Sequence, residues 1–437
     1  MGALVCKFGG TSLADVDQMQ KVKAIVLSDP RRRFVVASAP GKSHPGDTKI
    51  TDLLYLCHDL ARQNLDFSEP YGRIRDRYLE LAHKLGVGVD MGGLLDGLYS
   101  DIEGGASRDF VASRGENLCS RLLADFLNAT FVDAAESIRF GQDGQLDLRS
   151  YDVLRRKTGG DGLYVIPGFY GADPQGRIRT FPRGGSDITG AIVARAVGAD
   201  VYENWTDVSG LLMADPDLVA DARPVREITY REVRELSYMG AAVFHNEAMF
   251  PVREASIPVR IRNTNRPEDP GTCILPSRAL TEDLIVGVAG RPNFTMLNIE
   301  KALLNQEKGF GRKVLDVVAS YDISYELTPS GIDAMSVVMS DDQLNGKGEA
   351  LLEDVRRILR PDRAELIPGL ALIATVGEGM VHRVGIAARL FSALGHADIN
   401  VRIIDQGSSE INIIVGVEAR DYGRAVQAIY RAFVRSA

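Results

Sequence analysis

The sequence predicts an α/β protein in two parts: a first domain with a largely parallel central sheet sandwiched by helices, then two small ferredoxin-like units. Three observations carry this. Over residues 1–278, short apolar segments alternate with stretches of helical periodicity, the pattern of a sheet covered on both faces. The turn-rich segment Arg266-Pro267-Glu268-Asp269-Pro270-Gly271 breaks that pattern. Beyond it, the order strand, helix, strand, strand, helix occurs twice at a period of roughly 75 residues. The boundaries read from this are 1–278, 284–366 and 367–437.

Taken in order, Leu4 to Phe8 reads as a buried strand and Asp15 to Leu27 as a helix with apolar residues at helical spacing. Phe34 to Ala39 is a second strand, ending at Pro40-Gly41. Helices follow at Thr51 to Ala61 and, after Ser107, at Ala112 to Asn128. Further strands are expected at Thr130-Phe131-Val132, Leu163 to Ile166 and Asp200 to Asn204, with a helix at Ile188 to Ala196. Thr272-Cys273-Ile274 closes the first domain. The first small unit reads as strand Phe294 to Leu304, helix Gly309 to Tyr321, strands Ile323 to Leu327 and Ala334 to Met339, and helix Gly348 to Leu359. The second reads as strand Leu370 to Val376, helix Val381 to Leu394, strands Ile399 to Ile404 and Glu410 to Val417, and helix Asp421 to Phe433. Asp-Ile-Ser-Tyr-Glu at 322–326 and Asp-Ile-Asn-Val-Arg at 398–402 hold the same place in each copy.

Composition narrows the function classes. A net charge of -8 argues against a sequence-independent grip on nucleic acid or an anionic membrane. Cys6, Cys57, Cys119 and Cys273 are far apart, and the six histidines form no metal-binding pattern, so buried thiols in a reducing compartment are expected and no metal ligands. No apolar run approaches the ~18 residues that span a bilayer. The start of the chain lacks the basic and apolar regions of a signal peptide, so the expectation is a cytoplasmic enzyme.

The chemistry-bearing segments fall where strands end, which is where sites gather in such sheets. Lys7-Phe8-Gly9-Gly10-Thr11-Ser12 follows the first strand directly. Its two glycines let backbone N–H groups approach phosphate oxygens, and Lys7 can offset charge built up in phosphoryl transfer. Ser12 reads as a cap of the helix that follows. A lone Gly-Gly turn with a surface lysine is the bland alternative, and no Walker loop is present. Phe181-Pro182-Arg183-Gly184-Gly185-Ser186-Asp187 is a second glycine-rich turn before a helix. Arg183 suits a carboxylate; Asp187 either caps the helix, orients Lys7 or helps hold Mg²⁺. Glu116, in Ser113-Arg114-Gly115-Glu116, either accepts a substrate ammonium or only complements a helix dipole. Trp205-Thr206-Asp207-Val208-Ser209-Gly210, leading to Ala214-Asp215-Pro216, either holds a nucleotide base and ribose or is a tight turn.

In this order, the K-F-G-G-T-S, S-R-G-E, R-G-G-S-D and W-T-D-V-x-G…A-D-P segments resemble the amino-acid kinase family and, within it, the aspartate kinases, over essentially the whole chain. The tandem C-terminal units are similar to that family's paired ACT domains. The resemblance implies phosphorylation of the β-carboxylate of L-aspartate by Mg-ATP, the entry to lysine, threonine and methionine synthesis. Lys7, Gly9, Gly10, Thr11 and Ser12 would then serve the phosphates, with Asp187 beside Lys7. Arg183 and Glu116 would hold the substrate α-carboxylate and α-ammonium, with Ser38, Thr51, Gly184, Gly185 and Ser186 completing the pocket. Thr206 and Asp207 would lie at the nucleotide. It also implies feedback by a pathway end product, lysine or threonine, at an ACT interface of a homodimer or dimer of dimers. Phe310, Gly311, Tyr325, Glu326 and Ser330 match its effector positions.

Leu212, Asp217 and Ala242 depart from the family pattern, which has an aromatic residue, an arginine and a lysine there; this puts the adenine and phosphate contacts in question. The insertion Lys42 to Lys49 lengthens the substrate loop. Two other readings stand beside this one: a relative that activates a different carboxylate, motivated by those departures, and a catalytically dead ACT amino-acid sensor, against which the intact Lys7 and Asp187 count.

Overall fold

The computed structural model describes residues 2–182, 184–241, 248–279, 281 and 283–434. It divides into two compact units. The first comprises 1–211, 224–230 and 243–278; the second comprises 212–223, 231–242 and 279–437. Arg183 and Ala242 lie outside the described residues.

In the first unit the strands are β1 (Leu4–Phe8), β2 (Arg32–Ala37), β3 (Thr130–Phe131), β4 (Tyr164–Pro167), β5 (Tyr170–Ala172), β6 (Ile178–Thr180), β7 (Val201–Thr206), β8 (Glu227–Thr229), β9 (Val259–Asn263) and β10 (Thr272–Leu275). Eight of them form one sheet in the order β3-β4-β2-β1-β7-β9-β10-β8, and β5 pairs with β6. Every described pairing in the large sheet is parallel except β9 with β10. Parallel strands need helical crossovers that cover both faces, which is why all five residues of β1 are buried. β1 and β7 lie side by side at the middle of the sheet with Lys7 opposite Asn204. Because side chains alternate between faces, Lys7, Asn204 and Tyr202 share one face, while Cys6, Phe8, Glu203 and Trp205 share the other.

Helix starts follow local chemistry. Asp15 caps Val16–Leu27 by accepting from the Gln18 N–H at 2.9 Å, so Ser12 is not the cap that its position suggests. Ser12 instead sits in a 3-10 turn, Gly10–Leu13. The reason is geometric: the chain needs one extra tight turn between strand and helix to pass the Gly9-Gly10 corner. Ser107 caps Arg108–Phe126, which therefore starts one turn earlier than the apolar spacing from Ala112 indicates. The helices Ser68–Leu85 and Met91–Glu103 were not expected, since Gly72, Gly92, Gly93 and Gly97 dilute their periodicity.

The second unit contains one five-stranded sheet from β11 (Gly287–Glu300), β12 (Ala334–Ser340), β13 (Arg363–Val376), β14 (Ile403–Asp405) and β15 (Asn412–Glu418), in the order β12-β11-β13-β15-β14. The two repeats share strands. Residues 294–300 of β11 pair with β12 and with the start of β13, whereas 287–291 pair with 372–376 of β13. Several expected elements differ: the strand expected at Ile399 to Ile404 is Ile403–Asp405, and those expected to start at Phe294 and Leu370 start at Gly287 and Arg363. Ile323 to Leu327 is not a strand: within it only the Glu326 N–H and the Leu327 carbonyl pair with Val338 of β12, and the segment is entered through Asp322 at a left-handed φ of 55°. The helix expected from Val381 begins at Ile386, since His382 (φ 57°) and Gly385 (φ 89°) cannot continue a right-handed turn.

Among the described residues no helix is long and apolar enough to cross a membrane.

Candidate active site

The site is assembled in the first unit at the carboxyl ends of β1, β2, β7 and β9. Lys7 Nζ lies 2.6 Å from Asp187 Oδ1, and both side chains are about nine-tenths buried (11% and 10% exposed). Asp187 reaches Lys7 because Gly184, at φ 77°, turns the chain into the helix Gly185–Val197 and places Asp187 in its first turn. Gly185 packs under Phe169 and Phe181, where an added Cβ would come within 2.7 Å of the Phe169 ring. Ser186 is buried against Gly168, whose own added Cβ would stand 2.5 Å from the Ser186 hydroxyl.

The Gly9-Gly10 turn is tied to its neighbours by main-chain bonds. Gly9 N–H donates to Trp205 O at 3.0 Å, and Gly10 O accepts from Gly41 N–H at 2.8 Å. A Cβ on Gly10 would sit 2.9 Å from Ala39 O, so only glycine lets these strands close. A Cβ on Gly9 would meet nothing closer than Trp205 O at 3.6 Å, but would stand 3.7 Å from Lys7 Nζ. The space beside the ammonium is thus kept open, as a phosphate cradle requires. Thr11 is exposed on the turn. Ser12 Oγ pairs with Thr264 Oγ1 at 2.8 Å, fixing the turn to the end of β9. Thr206 N–H-bonded neighbours complete that rim: Thr264 N–H donates to Thr206 O, and Thr206 Oγ1 donates to Asp207 Oδ1 at 3.1 Å.

Glu116 approaches from Arg108–Phe126. Gly115 makes this possible, because a side chain there would collide with Ala39 Cβ at 2.9 Å. The Ala39 N–H after β2 reaches the Glu116 carboxyl, and Gly115 packs on Ile50 and Leu54 of Ile50–Arg62, whose first turn carries the half-buried Thr51. Glu116 is 5% exposed and its Oε2 has no hydrogen-bond partner. Burial pushes its carboxyl up to about 8, against the opposing pull of the Ala39 N–H and the charges of Arg114 and Lys7. Burial without a partner thus favours the protonated form, and the natural complement of the ionised form is a ligand cation.

The inserted loop is organised as well. Ser43 donates to Asp47 through its N–H and hydroxyl, both at 2.9 Å, and Arg77 binds Asp47 at 2.8 Å. Burial would raise Asp47, but these donors outweigh it and hold the carboxyl down at about 2. Arg77 also donates to the Ala14 and Gly41 carbonyls, so one guanidinium clamps the loop to the phosphate turn. On the opposite face of the sheet, Cys6, Arg32, Trp205 and Arg262 all reach Glu203. That network stiffens the β1–β7 pair from behind. Motif reading missed Asn204, Tyr202, Thr264, Arg77 and Glu203; the register of β1 against β7 is the signal that would have found the first two.

In the second unit, Leu212 is at the exposed margin and Asp217 is exposed, its N–H donating to Asp215 Oδ1 at 2.9 Å. Phe310 is 2% exposed and its side chain belongs to the core of the first repeat, so only its backbone and that of Gly311 are left to meet an effector. Tyr325 and Ser330 are exposed. Glu326 pairs with Arg291 at 3.4 Å, and its Oε2 is buried without a partner.

A lysine held against an aspartate beside an open glycine turn, with a buried carboxyl group nearby, is the arrangement of a phosphotransferase whose acceptor carries an ammonium group. The family model described as the amino acid kinase family matches residues 2–263, and one described as an ACT domain matches 373–433. The chain is 39% identical to aspartokinase 3 of Bacillus subtilis over 98% of both chains. It superposes on the crystal structure of Clostridium acetobutylicum aspartate kinase with a TM-score of 0.92, at 48% identity, over 99% of this chain and 100% of that one. It superposes on Escherichia coli aspartokinase III with a TM-score of 0.77, at 27% identity, covering 98% of this chain and 99% of that one. That structure holds aspartate and ADP; another of the same enzyme holds lysine and aspartate. The chain belongs to the amino acid kinase family and, within it, to the aspartokinases.

Proposed function

We propose that this aspartokinase transfers the γ-phosphoryl group of ATP to the β-carboxylate of L-aspartate, giving 4-phospho-L-aspartate, with Lys7 and Asp187 at the reacting end of the site. The observation that carries the substrate assignment is the orphaned, buried Glu116 Oε2, which suits an α-ammonium. Ser38, Thr51, Gly184, Gly185 and Ser186 are assigned to complete that pocket. Arg183 is assigned the substrate α-carboxylate from the motif alone. A carboxylate is already nucleophilic at neutral pH, so these residues need supply no general base. They supply alignment and charge neutralisation.

Lys7 faces the open side of the Gly9-Gly10 turn, where its ammonium is placed to offset charge on phosphoryl oxygens. Thr11 and Ser12 extend that turn, and Thr206 and Asp207 form the rim assigned to the nucleotide. Among the described residues no three His, Cys, Asp or Glu side chains converge as a metal cage. Mg²⁺ carried on the nucleotide phosphates would neutralise their charge, and one or two carboxylates such as Asp187 or Asp207 would help hold it.

The ACT region is assigned feedback control by lysine or threonine, within a homodimer or dimer of dimers. The match of Phe310, Gly311, Tyr325, Glu326 and Ser330 to the family's effector positions supports this assignment. A coupled ADP-release assay, repeated with each effector and with hydroxylamine to trap the acyl phosphate, tests substrate and effector together. Aspartate-dependent ADP formation is expected, with kcat reduced on the order of 100-fold or more in Lys7→Ala. Turnover of another carboxylate with none of aspartate would sink the substrate assignment.

A further inference from the structure

We infer that Asn204 is a positioning residue of phosphoryl transfer, holding the Asp187 carboxylate in place while Lys7 serves the phosphoryl group; this rests on the proposed kinase reaction. Asn204 lies opposite Lys7 across β1 and β7, so both side chains rise from the same face of the sheet. The Asp187 carboxylate comes down onto that face from the helix above. Its Oδ1 accepts from both Lys7 Nζ at 2.6 Å and Asn204 Nδ2 at 3.3 Å. Two residues earlier on the same strand, Tyr202 Oη donates to the main-chain oxygen of Asp187 at 3.2 Å. Gly190, one turn further along the helix, leaves room for that phenol, since a Cβ there would lie 2.4 Å from Tyr202 Oη. Strand β7 therefore grips the first turn of the helix at two levels, one through the backbone of Asp187 and one through its side chain.

Packing alone does not explain an asparagine here. The residue is 3% exposed and its Oδ1 is buried with no partner, a cost that an aliphatic side chain of similar size would avoid. What the amide adds is a neutral donor to Asp187. Lys7 has three N–H donors, and those turned to phosphoryl oxygens are no longer directed at Asp187. When Lys7 turns toward the phosphoryl group, a carboxylate held by Lys7 alone would lose its directing bond. With Asn204 still donating, the carboxylate stays where it can steer the ammonium. The bond is neutral, so it orients Asp187 without quenching the charge that attracts Lys7.

The test compares Asn204→Leu and Asn204→Asp with wild type in the full-length enzyme, reading kcat, both KM values and Tm. Asn204→Leu is expected to lower kcat about 10- to 100-fold, the scale of a small misplacement of a reacting group, with both KM values within about twofold and Tm unchanged or raised. Asn204→Asp keeps the shape but replaces the donor with a second carboxylate, so its kcat is expected to fall further than that of Asn204→Leu. Unchanged kcat in Asn204→Leu, or a loss that follows Tm, overturns the inference. If wild type itself fails to phosphorylate aspartate, the substrate assignment is what fails. The positioning role is then decided by a crystal structure of Asn204→Leu: Asp187 turned away from Lys7 supports it, and an unmoved pair overturns it.

Discussion

Glu116 couples substrate recognition to pH in a way that can be measured. Its carboxyl is raised to about 8 from an ordinary value of 4.5, chiefly by burial. The folded state therefore holds this proton more tightly than the unfolded chain does. Stability from this group is fully present below about pH 4.5 and is lost as pH rises toward 8, then levels off. Thermal unfolding of the ligand-free enzyme between pH 5 and 8 should show that decline, and Glu116→Gln should flatten it. Only the ionised carboxylate can meet an ammonium, so kcat/KM for aspartate should rise with pH to a plateau above about 8, as expected for a free-enzyme group. In Glu116→Gln the limb should vanish and the KM for aspartate should rise on the order of 10- to 100-fold, the worth of a charge-assisted hydrogen bond. A pH profile that keeps its limb in the variant would assign it to another group.

At the scale of single elements, the glycine turn after β1 separates structure from chemistry. Gly10→Ala would press a methyl against Ala39 O at 2.9 Å and Gly41 N at 3.1 Å, all backbone atoms that cannot yield cheaply. It should lose about 1–3 kcal/mol of stability together with activity. Gly9→Ala meets only ordinary contacts, yet its methyl would stand 3.7 Å from Lys7 Nζ. That variant should unfold at the wild-type temperature while its KM for ATP rises. Equal Tm losses in the two would show that the turn is tuned for packing alone. The contrast also marks what was legible in the sequence. Lys7, Gly9, Gly10 and Asp187 are contiguous with strand and helix signals, so a motif places them. Asn204 becomes visible only through strand register, and Arg77 only through a helix, Ser68–Leu85, whose charged residues and Gly72 dilute its periodicity. Ser12 looks like a cap because the extra 3-10 turn leaves no trace in residue types. Arg183 lies outside the described residues, so its expected place rests on motif order.

For the whole molecule, the C-terminal repeats share strands within one sheet. The sequence period identifies two copies, but β11 and β13 are each fourteen residues long and run through both. Residues 287–291, ahead of the first strand expected in the first copy, pair with the second half of β13, so the copies interlock across a single sheet. Segments from the kinase part of the sequence join the same unit. Val288 N–H donates to Met213 O at 2.7 Å, Asn412 Nδ2 to Glu235 Oε2 at 2.6 Å, and Arg223 N–H to the Tyr430 hydroxyl at 3.0 Å. A chain cut after residue 366 would thus strip partners from 287–291 and from the 212–223 and 231–242 segments together. Cooperative units lose protection as a whole when strands that cross them are removed. The expected result of limited proteolysis on that truncation is rapid cleavage throughout 279–366, with no resistant fragment corresponding to the first repeat. A stable core spanning 292–366 would mean that the repeat folds alone, and that the shared strands are an addition to two independent units instead of the frame that joins them.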